Sequence, residues 1–133
     1  MKKTIKPIAL VLTVISLFLM LASCSDRYVS SYSAIAMTRH NTTDRCSADF
    51  KRLSGTLVFK LRPESEGELH YAGALDEGEI NVWYDIYGTK ELLFNIKAGD
   101  TVDMQGGYVE GGKTVYVIIE TVTESRGRIE VSA

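Results

Sequence analysis

From Phe50 onward the chain is rich in β-branched and aromatic residues, and turn-forming groups interrupt it about every ten residues. That spacing fits short antiparallel strands and excludes alternating βαβ units. Thr56 to Arg62 (Thr-Leu-Val-Phe-Lys-Leu-Arg) has strand composition and stops at Pro63, whose missing N–H ends a ladder. Glu68 to Leu75 and Glu79 to Tyr87 flank Asp76-Glu77-Gly78, which predicts a tight hairpin with glycine supplying a positive φ. Gly88-Thr89, Ala98-Gly99-Asp100, Glu110 to Lys113 and Glu124 to Gly127 separate four further strands: Glu91 to Lys97, Thr101 to Tyr108, Thr114 to Val122 and Arg128 to Val131. Gly106-Gly107 marks a bulge or a close backbone approach. Val115, Val117 and Ile119 take one face of their strand, and Tyr116 and Ile118 the other. Apolar residues on both faces predict a central strand covered on both sides. The expectation is an all-β chain forming a single antiparallel β-sandwich of about seven or eight strands.

The beginning of the chain has a different character. Lys2, Lys3 and Lys6 form a basic head, and Ile8 to Ala22 is an apolar run broken only by Thr13 and Ser16. This order is that of a secretory signal peptide. A permanent membrane span is the weaker reading, because crossing a bilayer takes about 20 apolar residues and this run is shorter. The closing Leu21-Ala22-Ser23-Cys24 resembles the lipobox of bacterial lipoproteins. The resemblance covers the first 24 residues and implies that Cys24 is acylated, palmitate being one such chain, and becomes the mature N-terminus. The protein is then expected at the cell membrane or outer membrane, with its domain on the extracytoplasmic side. Ser25, not an acidic residue, follows the cysteine, so the inner-membrane retention signal of that family is missing.

Residues 1–23 are thus expected to be a signal peptide, 24–49 a lipid-attachment cysteine with a polar tether, and 50–133 the β-sandwich. The stretch from Ser25 to Asp49 is rich in Ser, Thr, Asn and Asp and lacks a sustained period. As a flexible chain it would span roughly 25–30 Å. Its one apolar patch, Ala34-Ile35-Ala36-Met37, is instead suited to a first strand or helical turn packed on the domain.

Charge narrows the partners. Removing the three leader lysines takes the net charge from −2 to −5, and the remaining basic residues are scattered. Nucleic acid and an electrostatic attraction to anionic membranes are therefore excluded as expectations. Cysteine supplies only Cys24 and Cys46. With Cys24 acylated, Cys46 is a lone thiol, expected to be buried and inert. Without acylation, a Cys24–Cys46 disulfide becomes available.

The segment Gly99 to Val115 together with Gly127 to Val131 resembles the last strands of small jelly-roll modules found in bacterial lipoproteins and in extracellular carbohydrate-binding domains. The resemblance implies a jelly-roll-like sandwich and adds little on function.

Chemistry is sparse. Cys46 with His40 or His70 is the sole nucleophile–base combination, and nothing local holds such a pair rigid. Asp76 to Glu79 and Asp100 with Asp103 are explained as turn residues ahead of a Ca²⁺ site. No enzyme activity, metal site or cofactor is expected. Alternation along Glu79 to Tyr87 puts Ile80, Val82, Tyr84 and Ile86 on the core face. Asn81, Trp83, Asp85 and Tyr87 share the opposite face. Two large aromatics beside an amide and a carboxylate suit a saccharide, with rings on its apolar face and polar groups on its hydroxyls. Tyr71 and His70, on the expected hairpin partner, would extend that platform. The alternative is that Trp83 and Tyr87 pack in a second layer or under the tether. The overall expectation is a lipid-anchored cell-envelope protein acting without catalysis, as a module for glycan or cell-wall ligands through the Trp83 face. The rival is an interaction lipoprotein that docks another envelope or secreted protein.

Overall fold

A computed structural model describes residues 27–133; the expected signal peptide and Cys24 lie outside the described residues. The described chain is all-β and holds seven strands: β1 (Ser31–Ile35), β2 (Thr38–Asn41), β3 (Arg45–Leu61), β4 (Gly67–Asp85), β5 (Glu91–Lys97), β6 (Thr101–Val109) and β7 (Val115–Ser132). All pairings are antiparallel, in the order β1-β3-β7-β4-β5, with β2 added beside β3 and β6 beside β4.

Three long strands, β3, β7 and β4, form the frame, and each changes partner register part-way. β3 slips against β7 between Phe50 and Thr56, and β4 slips against β7 between Leu75 and Ile80. Bulged strands bend, so one sheet folds over itself at these positions. One half is β2, the first part of β3, the last part of β7, the first part of β4, and β6. The other is β1 with the remaining parts of β3, β7 and β4, and β5. The result is the expected antiparallel β-sandwich, with a bend at one end and a mouth at the other.

Glycine permits the bend. A Cβ on Gly127 would sit 2.2 Å from the Ala74 carbonyl oxygen, and one on Gly78 (φ +89°) 2.5 Å from that of Glu124. Between the halves lie Phe50, Leu53, Leu57, Phe59, Leu69, Leu75, Ile80, Val82, Ile96, Ile119 and Ile129, each 2% exposed or less. Each such side chain contributes about 1.5–3 kcal/mol on burial, so these layers supply the main driving force. β7 is central, as its two-faced apolar pattern predicted: Val117 and Ile119 join this core, and Ile118 is 2% exposed on the outer face.

Two expectations on local structure are corrected. Asp76-Glu77-Gly78 is not a hairpin and Glu124 to Gly127 does not separate two strands; they are the corners of β4 and β7, each of which continues through its bend. Turn residues in mid-strand give the same sequence signal as a reversal, and the neighbouring strand decides between them. Most of the expected tether is also ordered into strands. Ser31–Ile35 pairs with Thr56 to Arg52, and Thr38–Asn41 pairs with Asp49 to Cys46. Both are exposed edge strands, β2 with polar side chains and β1 with serines beside exposed Tyr32 and Ile35, and half-buried Ala34 and Met37 anchor them against the core. Polar composition is how an edge avoids pairing with other chains, so it does not mark a spacer here. Gly107 (φ +70°) sits where β6 slips against Glu68 and Leu69, the bulge expected at Gly106-Gly107.

Candidate functional site

The mouth is where the sandwich halves part. It is framed by the segment from Asp85 to Glu91, the β6–β7 turn, and the loop after Leu61, which Gly112 closes by donating its N–H to the Pro63 carbonyl. A cavity of about 300 Å³ opens there, lined by Tyr84, Ile86, Tyr87, Thr89, Glu91 and Tyr108.

Each tyrosine is tied to a carboxylate. The Tyr84 hydroxyl donates to Glu91 Oε2 at 2.8 Å, and Tyr108 donates to Glu66 Oε2 at 2.5 Å. Hydrogen bonding to Glu110 raises the Tyr87 phenol above its ordinary pKa, and Glu66 does the same to Tyr108. For Tyr84 burial is the larger cause, with Glu91 second. Lys113 Nζ lies 5.8 Å from the Tyr87 ring centroid, within cation–π range. Glycine at 107 lets the Tyr84 ring lie against β6, since a Cβ there would meet Tyr84 and Leu93 side-chain carbons at 3.1 and 3.0 Å. Tyr87 and Tyr108 are 67% and 56% exposed, so two rings offer their faces to solvent. Chemically, the cleft presents flat apolar surface rimmed by oriented oxygen acceptors.

The expected Trp83 platform is not assembled. Trp83 is half-buried; Lys90 Nζ covers its ring at 4.5 Å, and its Nε1 is buried without a hydrogen-bond partner. Asp85 is 1% exposed and committed: it accepts from Tyr28 OH at 2.5 Å and from the Gly88 N–H at 2.7 Å, with Arg27 at 3.6 Å. Asn81 accepts from Asn95 Nδ2 at 2.8 Å. Tyr71 is a core residue, stacked on Phe94 with centroids 4.6 Å apart, because the expected hairpin is a bend and places it in the other half. Its neighbour His70 contacts Asp103 at 2.6 Å on that half. Of the expected residues only Tyr87 lines the cleft.

A short strap explains why that face is closed. Tyr28 packs its ring edge on Tyr116 (5.4 Å, 64°), and Ser30 Oγ accepts from the Val58 N–H at 2.8 Å. The segment from Arg27 to Ser30 therefore runs over the outer face beside Asp85. Cys46, as expected, is a buried free thiol, and burial pushes its pKa up to about 12.

Tyr84, Tyr108 and Glu91 were missed because they come from three separate segments, and Tyr84 fits the core face by alternation. The Tyr108-Val109-Glu110 spacing and the preceding double glycine are the only local hints. A second concavity of about 340 Å³ lies over the outer face of the other half, among Thr38, His40, Ser47, Asp49 and Arg128. It mixes both charge signs and has no Phe, Tyr or Trp in its lining. Among the described residues no group of three or more His, Cys, Asp or Glu is placed to hold a metal ion.

No family model and no curated protein matches this chain. Solved structures similar to it include the EutQ protein of Clostridium difficile, at 8% identity over 77% of this chain and 68% of that one, TM-score 0.35. A cupin-2 domain protein of Shewanella frigidimarina is similar at 14% identity over 85% and 89%, TM-score 0.35. KdgF of a Halomonas species is similar at 14% identity over 77% and 84%, TM-score 0.32. The expectation that the protein is not an enzyme is corrected: jelly-roll folds host many unrelated functions, so a missing nucleophile–base pair does not exclude catalysis.

Proposed function

We propose that the protein is a lipid-anchored, extracytoplasmic module that takes a saccharide in the tyrosine cleft at the mouth of the sandwich. The single observation that carries the reading is the set of three tyrosines paired with Glu66, Glu91 and Glu110 around one cavity. Exposed rings stack on the apolar face of a pyranose, and the glutamates accept hydrogen bonds from its hydroxyls. The lipid anchor rests on the leader and the lipobox resemblance ending at Cys24. Two acyl chains hold a protein stably, at about 0.8 kcal/mol per buried methylene.

Calorimetric titration of the mature chain with cell-wall oligosaccharides tests the ligand. Tyr87→Ala and Tyr108→Ala should abolish the binding heat while leaving the thermal midpoint within a few degrees, because both side chains are exposed. Trp83→Phe should bind as the parent does. Binding that persists in both tyrosine variants, or no heat with any saccharide, would refute the site. For the anchor, Cys24→Ala should release the chain from the membrane, and a variant still acylated and membrane-bound would refute it. The rival reading, docking of another envelope protein, has one observation in its favour. Strand β6 is an outer edge with Met104 59% exposed.

A further inference from the structure

Where the strap begins decides which ligands the cleft meets. Arg27 and Tyr28 are fastened to Asp85, the last residue of β4, and the Arg27 guanidinium lies beside Gly88 in the loop that carries Tyr87 and Thr89. The described chain therefore starts at the mouth, next to the cleft. Only Ser25 and Asp26 separate Cys24 from Arg27, and three fully extended Cα–Cα steps reach about 10 Å. The bend lies at the far end of strands that run from Glu79 to Asp85 and from Gly67 to Leu75, which is about 20–25 Å away at the rise of a β-strand.

The exposed residues at the mouth agree with this placement. Val29 is 74% exposed, Tyr87 67% and Tyr108 56%, with Arg27 beside Asp85 and Lys113 beside the Tyr87 ring. Tyrosine beside lysine and arginine settles at a membrane–water interface, and Glu66, Glu91 and Glu110 at the same mouth are each engaged by a tyrosine hydroxyl. A free saccharide would not require such closeness, whereas a sugar carried on a lipid is found within that layer.

We infer that the cleft is held against the membrane surface and takes the saccharide headgroup of a membrane lipid. The inference rests on the lipid-anchored, saccharide-binding reading above and narrows its ligand to one presented in the same bilayer. Its test uses the full acylated chain in phosphatidylcholine vesicles, with a fluorophore on a cysteine introduced at Ser65 (mouth) or Asp76 (bend). Cys46 is buried and stays unlabelled.

A headgroup-attached quencher should dim the Ser65 probe several-fold and leave the Asp76 probe nearly unchanged. Adding glucosyl-diacylglycerol to the vesicles should shift the Ser65 emission further, and Tyr108→Ala should remove that second change. Equal quenching of the two probes would overturn the placement. A glycolipid without effect on a chain that still binds free saccharide would overturn the ligand assignment alone. Failure to enter vesicles, or to bind any saccharide, would overturn the underlying reading and this inference with it.

Discussion

Tyr28→Phe tests whether the strap is fastened or merely adjacent. The substitution removes one hydroxyl and keeps the ring, so the edge contact with Tyr116 at 5.4 Å survives. What is lost is the donor to Asp85, a carboxylate only 1% exposed. A hydrogen bond to a charged group contributes about 1.5–3 kcal/mol, and stripping one from a buried acceptor leaves that acceptor desolvated. The Gly88 N–H at 2.7 Å remains, and so does Arg27 at 3.6 Å, though the Arg27 side chain is half in solvent and its attraction is screened. A loss of about 2 kcal/mol is expected, which lowers the midpoint of a domain this small by about 10 °C. Thermal unfolding followed by circular dichroism reads it directly, and trypsin should cut after Arg27 sooner in the variant than in the parent. A loss below about 0.5 kcal/mol, the size of an ordinary surface change, would refute the fastening and the membrane placement built on it.

Other outcomes follow from the same contacts. Cys46, its pKa pushed up to about 12 by burial, should resist a thiol reagent at pH 8 until denaturant is added; fast reaction in the native chain would contradict its position in the core. Gly127→Ala should cost about 3 kcal/mol or more, because the new methyl meets the Ala74 carbonyl oxygen at 2.2 Å and the Leu75 Cα at 2.9 Å, backbone that cannot yield without opening the bend. An unchanged urea midpoint would show that the bend is looser than this contact requires. Tyr28, Tyr84, Tyr87 and Tyr108 all have raised phenol pKa values, so above pH 10 the unfolded chain binds fewer protons than the folded one. Stability from these groups is whole below pH 10 and falls as pH rises through the raised values. Urea midpoints between pH 9 and 11.5 should decline more steeply in the parent than in Tyr28→Phe, and matching slopes would argue against the Tyr28–Asp85 bond.

Fold class was legible because it depends on local pattern. Val115, Val117 and Ile119 against Tyr116 and Ile118 marked a doubly covered strand, and β7 lies between β3 and β4. The core face of Ile80 and Val82 followed from alternation alone, and both are fully buried. Reversals at Gly88-Thr89, Ala98 to Asp100 and Glu110 to Lys113 were also legible, and what failed was the pair of breaks expected at Asp76 to Gly78 and Glu124 to Gly127. Asp76-Glu77-Gly78 has hairpin chemistry, yet β7 continues past it on both sides, so β4 bends and does not return. That one difference moved Tyr71 from a platform beside Trp83 into contact with Phe94. It also left the tyrosine cleft undetectable, since Tyr84, Tyr87 and Tyr108 converge only once β5 and β6 both pair with the same long strand.

The polar stretch before Phe50 shows the same limit from the other direction. Its lack of period was sound evidence against a buried element, and β1 and β2 are indeed exposed. A spacer does not follow, because an edge strand needs hydrogen bonds on one side and few apolar contacts. Here the difference carries through to the proposed function. A free tether of that length would hold the domain roughly 25–30 Å from its anchor and let every face meet solution ligands alike. Strands that pair from Ser31, with a strap bound at Asp85, leave almost no slack. On the proposed lipid anchor at Cys24, the mouth faces the anchor and the bend faces away, an orientation that no single residue of the sandwich specifies. Lengthening the chain between Asp26 and Arg27 by a flexible insert would restore the slack. It should cost capture of a membrane-borne sugar without touching affinity for a free one.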